Sequence, residues 1–199
     1  SDPNACIYKT GMFAERIVQE IMLFEHIPEP EQDNTHSNRI RILKRAGLLP
    51  RDIDNTLYLL RKTRNSAVHT GTDSVEDAKT LVSLTYNLAT WFMETYGDWG
   101  FIAPDFVMPA DIKPADYESV IADQEQKIAE LLKKLSAVTT AASGTSKKDR
   151  AKHSETVSSM MNWTEAQTRC LIDEQLRKAG WEADTQALRY SKGTRPVKG

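Results

Sequence analysis

The sequence predicts a mainly α fold: an antiparallel helical bundle, a helical linker, and the first helix and strands of an incomplete α/β domain. Three observations predict it. Apolar residues recur at three- and four-residue spacing in several stretches of the first hundred residues. Capping residues and glycines punctuate those stretches. Beyond Gly180 the helical period gives way to short extended pieces, at Trp181 and over 186–190.

The elements follow in order. Phe13, Ile17, Ile21 and Phe24 make one apolar stripe and predict a helix over 7–25. Prolines, acids and amides over 29–38 predict a loop. Ser37 or Asn38 can cap a short helix over 39–46 that stops near Gly47. Pro50 suits the first turn of a third helix, 51–68. Asp73 or Ser74 caps a fourth, 75–96, with the stripe Ala78, Leu81, Val82, Thr85, Leu88, Ala89 and Phe92, and Gly97 ends it. Short loops imply antiparallel neighbours, so residues 1–111 read as a bundle. Pro104, Pro109 and Pro114 mark an extended strap packed on it.

Residues 112–160 read as a helical, coiled-coil linker and a flexible hinge. Ile121, Ile128 and Leu135 repeat every seven residues, with Leu131 and Val138 at the alternate seam positions and Gln124 weakening the seam. Residues 139–159 are small and polar, ending in the basic cluster Lys147, Lys148, Arg150 and Lys152. Residues 161–199 then open a further domain. Thr164 and Gln167 form a capping box for a helix to Ala179, whose expected buried face is Leu171, Ile172, Leu176 and Ala179. One helix and one or two strands cannot close a core alone, so a longer parent protein is expected.

Composition excludes some classes. No apolar run approaches the roughly 20 residues that span a bilayer, and no basic-then-apolar signal opens the chain. Cys6 and Cys170 lack metal-ligand spacing and read as reduced cytoplasmic thiols; the four histidines show no zinc pattern. The net charge of −2 hides a local excess of cations. Residues 39–64 hold Arg39, Arg41, Lys44, Arg45, Arg51, Arg61, Lys62 and Arg64 against Asp52 and Asp54. Such a patch either binds phosphates or is a solvated helix face; Arg39, Arg41, Lys44 and Arg45 are its candidate nucleic-acid contacts.

The run Thr164-Glu165-Ala166-Gln167, continuing through Leu171-Ile172-Asp173-Glu174-Gln175-Leu176-Arg177-Lys178-Ala179-Gly180-Trp181, resembles the opening of the nuclease domain in R (restriction and motor) subunits of type I restriction enzymes. Leu188-Arg189-Tyr190-Ser191-Lys192-Gly193-Thr194-Arg195-Pro196 is similar to its continuation. Asp2-Pro3-Asn4, Phe13-Ala14-Glu15 and Arg64-Asn65-Ser66-Ala67-Val68-His69 resemble the helical domain that precedes that nuclease. The resemblance implies a parent enzyme, an ATP-dependent site-specific deoxyribonuclease. It would join a PD-(D/E)xK nuclease to a helicase-like translocase and work on DNA with methylation and specificity subunits in the cytoplasm. It implies magnesium and ATP for the parent. Neither an Asp with Glu-x-Lys after Tyr190 nor a Gly-x-x-x-x-Gly-Lys-Ser/Thr loop occurs here. This chain alone is therefore expected to bind no metal and to be inactive. Glu174 is the one candidate for a catalytic contribution, as an acid on the nuclease's first helix; the plainer reading pairs it with Lys178 on the surface.

Arg64, Asn65 and His69 also resemble the Arg-x-x-x-x-His motif of HEPN domains, helical bundles that include metal-independent RNases. His69 could move a proton near neutral pH and Arg64 could stabilise a phosphorane. The alternative reading of the bundle is therefore a HEPN-like nucleic-acid-binding module or RNase. Arg64 also stands where the stripe Ile53, Leu57, Leu60 calls for an apolar residue, so it needs either a partner carboxylate or a cleft.

Overall fold

The computed structural model describes residues 2–70, 74–109, 126–127, 145–181 and 183, with residues 68–70 as backbone only. α1 (Pro3–Phe24) begins earlier than its apolar stripe suggests. Asp2 caps it by accepting the Asn4 N–H at 2.9 Å, and Pro3 takes the first turn, where a missing donor costs nothing. Its far end turns through His26, whose φ of 53° lets the Ile27 N–H return to the Met22 carbonyl. α2 (His36–Arg45) is capped by Thr35, ahead of the Ser37 or Asn38 that the sequence suggests. It closes at Gly47, φ 69°, with the Leu48 N–H on the Leu43 carbonyl. α3 (Arg51–Thr70) follows Pro50, as expected.

α4 (Val75–Phe92) is capped by Ser74, and a π-helical turn, Met93–Gly97, carries it to the expected stop at Gly97. Its buried face is Ala78, Leu81, Leu84, Asn87, Leu88, Trp91 and Phe92; the expected stripe members Val82, Thr85 and Ala89 are only half-buried. The difference follows from α4 packing on α1 and α3 on one side and on later helices on the other.

α1 lies against α3 and α4, and α2 fills the end between α1 and α3. Ile7, Ile21, Met22, Leu57, Leu60 and Leu84 are fully buried between them. Tyr96, on the π turn, stacks on Phe92 and meets Phe24 edge-on, each at 5.4 Å.

The hinge expected over 139–159 is in part a helix. α5 (Lys147–Met160) is capped by Ser146, which accepts the Asp149 N–H, and it packs on the π turn and α4. Its composition is polar because its grip is polar. The Trp91 indole N–H donates to Ser154 Oγ at 3.1 Å, and the His153 ring stacks on Trp99 at 4.2 Å. α6 (Glu165–Lys178) starts at the expected capping box and ends at Gly180, φ 79°. Trp181 holds an isolated bridge position. The strap is less packed than expected: Phe106 meets Tyr86 at 5.1 Å, but Ile102 is 90% exposed and Val107 79%. Apart from helical 126–127, the expected helix over 115–139 lies outside the described residues, as do the extended piece over 186–190 and the basic turn after it.

Candidate functional site

Arg64 finds its carboxylate. Its Nη1 lies 2.6 Å from Glu15 Oε2 on α1, and its guanidinium carbon lies 5.1 Å from the centre of the Tyr8 ring. Burial works against the charge, but Glu15 and Tyr8 outweigh it and hold the guanidinium above its ordinary value. The helices come close enough for this because residue 11 is glycine. A Cβ there would stand 2.5 Å from Arg64 Cβ and 2.7 Å from its Cδ.

Glu15 is shared with Arg39, at 3.5 Å, and Arg39 also holds Glu29 at 2.8 Å. Arg39 is thus a buried linchpin between α1, α2 and the loop after α1, not a solvent-facing cation. Beside it His36 is 7% exposed, and neither ring nitrogen has a hydrogen-bond partner. Desolvation, opposed by Glu15 and reinforced by Arg61, Arg64 and Arg39, lowers its pKa to about 4. Asn65 is exposed on α3. His69 lies in the last turn of that helix, and its side chain is outside the described residues. Arg64 is therefore engaged in an ion pair between helices, the first of the two possibilities its position raised.

The remaining basic candidates divide. Arg41 donates to Asn38 Oδ1 at 2.6 Å, Lys44 pairs with Asp54 at 2.5 Å, and Arg45 is exposed. Only the last three keep any surface for a phosphate.

Glu174 differs most from its sequence reading. Its side chain is 3% exposed, and its partner is Lys62 of α3, 3.0 Å away, with Arg177 at 3.6 Å. Lys178, the expected i+4 partner, instead lies 3.5 Å over the Tyr58 ring. The face that α6 buries is Gln167, Leu171 and Glu174, while Ile172 and Leu176 are 47% and 39% exposed. The expected apolar face was misplaced by about a third of a turn, because the periodicity of Leu and Ile outweighed two polar residues that have partners. Gln167 is the second: its Oε1 accepts both its own cap, the Thr164 N–H, and Asn87 Nδ2 of α4 at 3.2 Å. No local signal marks Lys62, Asn87, Glu15 or Gly11, since each acts across helices.

Glu174 is held by two cations, and among the described residues no three His, Cys, Asp or Glu side chains gather closely enough to hold a metal. Burial pushes both thiols, Cys6 and Cys170, above their ordinary range, which makes them poor nucleophiles. No described helix is long and apolar enough to cross a membrane.

Fold and site together define a helical bundle that clamps a capped helix through buried polar contacts, and a protein similar to this chain along its whole length is the endonuclease subunit of a type I restriction enzyme. That relative is the EcoKI endonuclease subunit of Escherichia coli strain K12, 28% identical over 249 aligned residues that take in all of this chain. The chain spans about a fifth of the relative's length, 21%. The similarity fits an N-terminal region of that subunit. No family model and no solved structure matches.

Proposed function

We propose that this chain is an accessory and docking part of a type I restriction endonuclease subunit, in which the bundle holds the first helix of the nuclease domain. The parent would translocate and cut unmodified DNA using ATP and magnesium, with methylation and specificity subunits as partners. The observation that carries the reading is the burial of Glu174 against Lys62, in a segment that resembles the nuclease opening. Ile172 and Leu176, exposed among the described residues on the opposite side of α6, supply an apolar face for further nuclease elements. On this reading Glu174 positions the nuclease and touches no reacting atom.

Two variants of the full-length subunit, assembled with its partners, test this. Lys62→Met and Glu174→Gln should lower DNA cleavage to a similar partial degree and leave ATP hydrolysis unchanged. Loss of cleavage in Glu174→Gln with full cleavage in Lys62→Met would make Glu174 catalytic and overturn the docking role. Full cleavage in both would overturn it as well. The 199-residue chain should neither cut DNA nor hydrolyse ATP with magnesium present.

A further inference from the structure

Docking of α6 brings together cations that the sequence keeps far apart. Lys44 closes α2; Arg51, Arg61 and Lys62 stand on α3; Arg177 and Lys178 end α6. Contacts tie them into one surface. Arg51 Nη2 reaches Gln175 Oε1 at 2.9 Å, Lys178 and Arg61 both lie over the Tyr58 ring, at 3.5 and 5.2 Å, and Lys44 meets Asp54 at 2.5 Å. Lys44 pairs with Asp54, and Lys62 and Arg177 share Glu174, so the six cations outnumber the carboxylates of the junction even with Asp173 included. Asp173 lines the groove beside Cys170 together with Arg177.

The surplus is accessible. The side chains of Lys44, Lys62 and Arg177 are 62%, 43% and 44% exposed, and Arg51 and Lys178 are exposed too. Crowding is felt at Lys178, where desolvation lowers the pKa, Asp54 and Glu174 support the charge, and Lys44 and Lys62 oppose it. An anion would relieve that repulsion. The cations do not converge on one point: Arg51 and Lys62, which mark the two ends of the surface on α3, are eleven residues apart, roughly 16 Å of helix. That spread suits a row of phosphates better than a single ion.

We propose that the junction of α2, α3 and α6 binds the phosphate backbone of duplex DNA, without reading sequence, and is complete only when α6 is docked. The inference rests on the docking reading above. It places the DNA contact on Lys44, Arg51, Arg177 and Lys178, away from Arg39, which is consumed by carboxylates.

The test is fluorescence anisotropy of the whole chain with a labelled 20-bp duplex of arbitrary sequence (roughly two turns, a length chosen to cover several phosphates). Binding should weaken with salt at a log–log slope of about −3 to −4, the value for four neutralised phosphates. The double variant Arg177→Glu/Lys178→Glu should weaken binding at least about tenfold at low salt, whereas Lys147→Glu/Lys148→Glu/Lys152→Glu, on α5, should not. If the double variant undocks α6, seen as fast amide exchange over 165–178, Lys44→Gln replaces it, since its ion-pair partner Asp54 stands on α3. No binding at low salt, equal loss from the α5 variant, or binding that survives both the double variant and Lys44→Gln would overturn the proposal. Displacement by inorganic phosphate at fixed ionic strength would also overturn it, in favour of a discrete anion site. Lys62→Met separates the two readings: if its amide exchange shows α6 still docked, the docking role of Lys62 fails whatever the DNA result.

Discussion

Arg64 shows how far a single residue can be read. An arginine in an apolar register demanded a carboxylate or a cleft, and Glu15 is that carboxylate. Gly11 gave no such notice, because nothing local distinguishes a glycine that admits a neighbouring helix from one that merely loosens its own. Gly11→Ala should destabilise the chain by about 1–3 kcal/mol through overpacking, read from urea unfolding. Arg64→Ala in the same chain should recover part of that loss; strict additivity of the two would mean that they do not meet. His36 yields a pH prediction. Its folded pKa of about 4 lies below the usual histidine value of 6.5. The unfolded chain therefore takes up a proton first, and stability falls as pH drops from 6.5 towards 4. The full loss is about 3 kcal/mol. Unfolding free energies of the wild type and His36→Gln should diverge at neutral pH and approach each other over that window; parallel curves would show that folding leaves the His36 pKa unchanged.

Among the elements, those with a strong local punctuation were legible. Gly47, Gly97 and Gly180 end helices as expected, and Thr164 with Gln167 begins one. α5 escaped because its residues are polar and its apolar share is small, so composition resembled a hinge. Its Ser146 cap was readable, but its stability comes from tertiary contacts. Arg150 holds Glu25 at 2.9 and 3.0 Å, and the pair is almost wholly out of water, with side chains 12% and 1% exposed. Arg150→Ala leaves the acid uncompensated and should cost about 3–5 kcal/mol, with amide protection lost first over 147–160. Unchanged protection there would mean that Trp91 and Ser154 alone retain the helix. The N-cap of α6 is a smaller matter: Thr164→Ala should cost about 1 kcal/mol and also loosen Gln167 from Asn87, a coupling that a double-mutant cycle with Asn87→Ala would register.

At the scale of the molecule, the bundle was legible from three stripes and short connections, while the seating of the last two helices was not. Periodicity reports which face is apolar, and α6 docks on a face where Leu171 is flanked by the polar Gln167 and Glu174. Only the positions of Lys62 and Asn87 in space explain that choice. α5 and α6 both rest on the bundle.

The pairing of Glu25 with Arg150 has a consequence in time. The two stand 125 residues apart. A ribosome adding roughly 5–20 residues each second needs on the order of ten seconds to cover that stretch. Throughout that interval the nascent α1 ends in an acid still awaiting its cation, and Trp91 awaits the serine that receives its indole proton. The early helices are thus born provisional, and their final registration is deferred until a helix from the far side of the chain emerges.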